Sequence, residues 1–105
     1  MATTTTPRQA LEMLIREEFG ANSPMLRVAY CESGLRHFYL NSNAVVRSHT
    51  NDFGVFQINY PTWGKTAQNM GIDIMSPSGN IQFARYILDK QGISAWNSSM
   101  GCWNA

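Results

Sequence analysis

The run Asn51-Asp52-Phe53-Gly54-Val55-Phe56-Gln57-Ile58-Asn59 sets a carboxylate, a glycine and side-chain amides within one short stretch. Its apolar members Phe53, Val55 and Phe56 can be buried while Gln57 and Asn59 face a cleft, as side chains on a half-buried strand do. The stretch therefore reads as the return strand of a hairpin that offers polar groups to a ligand. Upstream, Tyr30-Cys31-Glu32-Ser33-Gly34 supplies a second acid, and Glu32 is the residue to pair with Asp52.

Immediately before this stretch, from Leu35 onward, the helical period is lost. The cluster Asn41-Ser42-Asn43, the β-branched Val45-Val46 and the turn-like His49-Thr50-Asn51 predict a short, irregular hairpin. Before it, Ser23-Pro24 is a helix start signal. Met25, Leu26, Val28, Ala29 and Tyr30 then give a helix that is apolar nearly all round, as a central helix would be, and that runs to about Ser33-Gly34. Glu32 falls in its last turn, where the helix macrodipole disfavours negative charge and favours a protonated acid. Thr6-Pro7-Arg8-Gln9 reads as a capping box opening an earlier helix, with Ala10, Leu11, Leu14 and Ile15 on its stripe and Gly20 at its end. Met1 to Thr5 read as a flexible tail ahead of a single domain spanning residues 6–105. Beyond the opening stretch, Tyr60-Pro61 leads into a short helix around Trp63 to Met70, and Ser76-Pro77 opens a helix to Gln91. That last helix buries Ile81, Ala84, Ile87 and Leu88 on one stripe, with Phe83 beside it. The aromatic tail from Ile93 to Trp103 is expected to pack, and the fold class to be α+β, mainly α.

A chain of 105 residues makes one modest core, so function must sit on one fold. With 44% hydrophobic and 14% charged residues it is no disordered polyelectrolyte, and a net charge of +1 gives no electrostatic case for nucleic acid or a membrane surface. Cys31 and Cys102 allow one disulfide at most: an exported domain would form it, and a reducing cytoplasm would leave two thiols. No Cys-x-x-Cys or His/Cys cluster suggests a metal, and His37 and His49 read as surface or turn residues. No window approaches the roughly 20 apolar residues of a spanning helix. No leader pattern opens the sequence either, so a removed leader or cell lysis is the expected route to the outside.

Two carboxylates on opposite walls of a cleft are the basic equipment for cleaving a glycosidic bond. Taken singly, a Glu at a helix end or an Asp in a turn is more often a solvated surface residue. The order of motifs carries more. Glu32-Ser33 closing an apolar helix, then Asp52-Phe53-Gly54-Val55-Phe56-Gln57-Ile58-Asn59, then Gly92-Ile93-Ser94-Ala95-Trp96 before a late cysteine, resembles the lysozyme-like superfamily. That superfamily holds the chicken-type lysozymes and the lytic-transglycosylase-like domains of bacteria and phages, and the similarity runs from about residue 7 to residue 103. Asp52-Phe53-Gly54 also spells the metal-loop tripeptide of protein kinases, a chance match in so short a chain.

The resemblance implies a lysozyme-like fold with a central catalytic helix, a short irregular β-hairpin and surrounding helices. It implies Glu32 as general acid, Asp52 as second carboxylate, substrate contacts from Gln57, Asn59, Trp63, Ala95 and Trp96, and no cofactor or metal. Trp96 matches the tryptophan packed against the acid, and Cys31 with Cys102 matches a bridge tying the catalytic helix to the C-terminal segment. The implied partner is the peptidoglycan strand, cleaved at the β-1,4 bond between N-acetylmuramic acid and N-acetylglucosamine, with chitin oligomers as a further substrate. A monomer outside the cytoplasm, in the periplasm, cell wall or medium, is the corresponding expectation. Chicken-type lysozymes carry more cysteines and a longer hairpin, so the likeness is to a trimmed bacterial or phage form. Many lytic transglycosylases lack an aspartate at the Asp52 position and use one glutamate, so Asp52 tilts the expectation towards hydrolysis, with transglycosylation as the alternative. A non-catalytic glycan-binding or morphogenetic module is the third reading, disfavoured by the presence of both acids.

Overall fold

Helix α1 (Pro7–Phe19) starts where its cap requires: the Thr6 hydroxyl accepts from the Gln9 N–H at 3.1 Å, and the Gln9 side chain accepts from the Thr6 N–H at 2.9 Å. These bonds satisfy two of the donors that every helix start leaves open. The computed structural model describes residues 4–105, so Met1 to Thr3 of the expected tail lie outside the described residues, while Thr4 and Thr5 are exposed and in neither helix nor strand. The stripe of α1 is narrower than expected. Leu11 and Ile15 are buried, but Ala10 and Leu14 are exposed, because only one edge of α1 meets α2 (Met25–Ser33) and α4 (Pro77–Gln91).

Gly20 closes α1 at φ +90°, and Gly34 closes α2 at φ +69°, a left-handed conformation that costs glycine least. Met25, Val28 and Ala29 of α2 are fully buried. Tyr30, at 53% exposure, shows that the helix is only partly enclosed, short of the apolar-all-round expectation.

The stretch from Asn51 to Asn59 is itself a hairpin and not one return strand. β1 (Asp52–Phe53) pairs antiparallel with β2 (Ile58–Asn59), in register Asp52 with Asn59 and Phe53 with Ile58. Between them Gly54 to Gln57 form a tight turn closed by the Gln57 N–H on the Gly54 carbonyl at 3.0 Å. Neighbouring Val55 and Phe56 are both fully buried, which alternation along a strand forbids and a turn allows. The outer hairpin survives as single bridges, Phe38 with Val45 and Arg47 with Phe53.

Helix α3 (Tyr60–Asn69) begins earlier than expected, because Asn59 caps it by accepting from the Thr62 N–H at 3.0 Å. Helix α4 starts as predicted, with the Ser76 hydroxyl accepting from the Gly79 N–H, and ends at Gly92. It buries Ile81, Phe83, Ala84 and Ile87, and Phe83 is fully enclosed. Burying a side chain of that size is worth roughly 1.5–3 kcal/mol. A 3-10 segment (Ile93–Ser99), kinked at Trp96, leads into α5 (Met100–Trp103), with Trp96 and Trp103 buried. The result is a mainly helical α+β domain whose small hairpin rests on α4 and faces the end of α2. Among the described residues, no helix is long and apolar enough to cross a membrane.

Candidate active site

Glu32, Asp52, Gln57, Asn59, Trp63, Ala95 and Trp96 all line one cleft. Every site residue expected from the sequence is therefore brought together, from four separate regions of the fold. Ile58, Ile87, Gln91 and Ser98 complete the lining.

Glu32 reaches the cleft from the C-terminal turn of α2. That end is fastened to the hairpin by the next residue: the Ser33 hydroxyl lies 2.8 Å from the Val55 carbonyl and accepts from the Arg36 N–H at 3.2 Å. The disulfide Cys31–Cys102, with Cα atoms 5.9 Å apart, ties the same turn to α5. Burial raises the Glu32 carboxyl above its ordinary value, the Asp52 charge adds to that, and a 2.6 Å hydrogen bond from the Ser99 hydroxyl works against it.

Asp52 sits in the opposite environment. Partial burial would raise it, but hydrogen bonds from Ser48, Thr50 and Asn59 outweigh burial and hold it below the usual range, with His49 adding in the same direction. Ser48 donates to Oδ2 at 2.6 Å, the Thr50 hydroxyl donates to the same oxygen, and Asn59 Nδ2 donates to Oδ1 at 3.0 Å. The two environments thus push the acids apart, Glu32 towards its protonated form and Asp52 towards its ionised form.

The amides divide differently from expectation. Asn59 faces the cleft, but its Oδ1 caps α3 and its Nδ2 bonds the Thr50 carbonyl and Asp52, so its side chain is committed to orienting Asp52. Gln57 Nε2 donates to the Gly54 carbonyl at 3.0 Å and the Val46 carbonyl at 3.3 Å, which leaves its carbonyl oxygen as the acceptor it can offer a ligand. Its backbone is held at φ +52°, a strained conformation for a long side chain. Trp63 lines the cleft and also packs edge-on against Phe83, with ring centroids 5.7 Å apart. Trp96 is buried and donates from Nε1 to the Phe56 carbonyl at 3.1 Å, so it braces the turn as well as the cleft wall.

Supports that sequence reasoning missed lie behind these groups. Asn80 on α4 is fully buried. It accepts from the Phe56 N–H at 2.9 Å and donates to the Phe53 and Ile74 carbonyls at 2.8 and 2.9 Å. An Asn on the buried stripe of a helix was the available signal, since Asn is a weak helix former that must find partners when enclosed. His37 corrects the surface expectation: it is 2% exposed, its Nδ1 accepts from the Val55 N–H at 3.2 Å, and Nε2 therefore donates to the Met75 carbonyl at 2.7 Å. Burial lowers its pKa, with the Met75 bond and Asp73 pulling the other way. His49 is exposed in a turn, as expected. Gly54 lies between these supports at φ +79°, and a Cβ there would come within 2.6 Å of His37 Cε1 and 2.8 Å of Asn80 Cγ.

No family model, curated protein or solved structure matches this chain. What the cleft can do follows from its own groups: a half-buried acid biased towards protonation, a stabilised anion across from it, a carbonyl acceptor at Gln57 and the indole of Trp63. That set can deliver a proton to a leaving oxygen while stabilising positive charge on the carbon left behind.

Proposed function

We propose that the chain is a peptidoglycan-cleaving glycosidase of the lysozyme-like superfamily. In this reading it is a muramidase that hydrolyses the β-1,4 bond between N-acetylmuramic acid and N-acetylglucosamine. The observation that carries the reading is the pair Glu32 and Asp52 on one cleft with their environments pushing the two acids in opposite directions. Glu32, as the neutral acid, protonates the glycosidic oxygen as its bond to C1 breaks, and Asp52 stabilises the oxocarbenium-like centre until water adds. This division of labour is borrowed from lysozyme. Trp63 and the Gln57 carbonyl would hold the sugar ring and an N–H or hydroxyl upon it. The disulfide fits an oxidising setting such as the periplasm, cell wall or medium, with lysis-dependent release from a phage-infected cell as the alternative route.

A second reading has its own support. Three hydrogen bonds on Asp52 make it a poor nucleophile, which suits a lytic transglycosylase. There the substrate's acetamido oxygen displaces the glycosidic oxygen from C1 as Glu32 protonates it. A hydroxyl of the same sugar then attacks C1, frees the acetamido group and returns a proton to Glu32, giving an anhydro-sugar. Digestion of purified peptidoglycan with mass analysis of the products tests both, because the two products differ by one water. Hydrolysis predicts hydrated ends, with activity abolished in Glu32→Gln and strongly reduced in Asp52→Asn. Anhydro ends with an active Asp52→Asn variant would replace hydrolysis by transglycosylation. A Glu32→Gln variant as active as the parent would overturn both, and a parent that releases no product would leave a glycan-binding module.

A further inference from the structure

We infer that Ser99 is the positioning residue of the acid: it holds Glu32 in place and takes up the charge left on it when its proton departs. This rests on the glycosidase reading. The Ser99 hydroxyl has one proton and two acceptors within reach, Glu32 Oε2 at 2.6 Å and the Trp96 carbonyl at 3.2 Å. Both states of Glu32 can be served by turning that hydroxyl. With Glu32 protonated on Oε1, its proton is left for the leaving oxygen, and Ser99 shares its own proton between the weakly accepting Oε2 and the Trp96 carbonyl. With Glu32 ionised, Ser99 turns its proton to Oε2.

The alternative acceptor is prepared for the exchange. The Trp96 carbonyl also accepts from Trp103 Nε1 at 3.1 Å, so it keeps a partner when Ser99 turns away. The motion is a hydroxyl rotation within one hydrogen-bonded cluster, with little cost in unmade bonds. In the cleavage step the Glu32 O–H bond breaks and its proton goes to the glycosidic oxygen, which also takes the electron pair of the C1–O bond. The electron pair of the O–H bond stays on Glu32, and Ser99 meets that new charge without losing its own proton. An interaction that strengthens as charge develops lowers the barrier more than it tightens substrate binding.

Two features place Ser99 behind the acid and outside substrate contact. It does not line the cleft, although the preceding Ser98 does. The disulfide brackets the pair, since Cys31 precedes Glu32 and Cys102 follows Ser99 by one turn, so the crosslink holds donor and acceptor segments together. The charged group acting on Glu32 from β1 is Asp52, which opposes ionisation, and the carbonyls ending α2 face the same way; the Ser99 hydroxyl is the group that favours it.

The test compares the full-length parent with Ser99→Ala and Ser99→Thr. One readout is NMR titration of the Glu32 side-chain carboxyl, which needs no substrate; the other is kcat and KM on purified peptidoglycan across pH. In Ser99→Ala, Glu32 should titrate at higher pH and the alkaline limb of the rate profile should move up with it. At the optimum kcat should fall about tenfold, with KM changed less than about twofold. Ser99→Thr, which keeps the hydroxyl, should restore both. An unchanged or lowered Glu32 titration in Ser99→Ala overturns the inference, as does a rise in KM at constant kcat. A parent that cleaves no peptidoglycan overturns the glycosidase reading and with it the catalytic part of this one; the titration then still decides whether Ser99 stabilises the Glu32 anion.

Discussion

Replacing Asn80 by Ala should destabilise the whole domain through the hairpin that carries Asp52. The side chain is fully buried and makes three bonds of 2.8 to 2.9 Å, to the Phe56 N–H and to the Phe53 and Ile74 carbonyls. Each buried backbone group that loses its partner costs about 1–3 kcal/mol, and a water entering the vacated space recovers part of it. A net loss of about 3–4 kcal/mol follows, a large share of the roughly 5–15 kcal/mol that holds a domain folded. At about 4 °C per kcal/mol for a domain near this size, the melting temperature should fall by about 12–16 °C. Asn80→Asp separates lost bonds from lost volume. It keeps the acceptor for Phe56 but turns a second oxygen on two carbonyls, so it should be at least as damaging at neutral pH and recover as acid protonates it. Calorimetry on the parent and both variants measures the shift, and amide exchange at Phe56 shows whether the turn opens first. Melting of both variants within about 4 °C of the parent would refute this account of the hairpin.

Reducing the Cys31–Cys102 bond, or the double change to Ser, removes a crosslink over a separation of 71 residues; chain-entropy reasoning gives a loss of about 4 kcal/mol, readable as a lower urea midpoint with reductant. Because the folded state raises Glu32, stability is fully present below the ordinary 4.5 and is lost as pH rises through the folded value; Glu32→Gln should therefore melt above the parent at neutral pH, the gap closing in acid. His37 has the opposite sign: its lowered pKa gives stability present above 6.5 and lost as pH falls below it, so a drop in denaturant midpoint in that window should flatten in His37→Gln. Asp52 likewise loses its contribution on acidification, with the loss beginning at its ordinary 3.8, well below the 6.5 at which the His37 loss begins.

The helix starts were legible because their causes lie within a few residues: Thr6 with Gln9, and Ser76 with Gly79, satisfy orphan donors locally. The hairpin was not, because its cause is remote. Phe53, Val55 and Phe56 look like alternating strand residues, yet Asn80 and His37 bind the backbone of that stretch from 24 and 18 residues away and fold it into a turn. At the site, residue identities could be read from the motif, but the state of each acid could not. Glu32 and Asp52 have the same functional group, and what separates them is the company each keeps. One is half-buried with a single donor from a segment 67 residues later; the other has three donors from nearby in sequence. Ser48, Thr50 and Asn59 lie close enough in sequence to be suspected as partners of Asp52. Ser99 does not, because the kink at Trp96, the crosslink at Cys102 and the Arg27 bond to the Trp103 carbonyl bring its segment to Glu32 from the far end of the chain. The asymmetry between the two acids therefore depends on tertiary contacts that no short motif can encode. A chain with the same Glu-Ser and Asp-Phe-Gly strings but a different C-terminal segment would keep its anion and lose control of its acid.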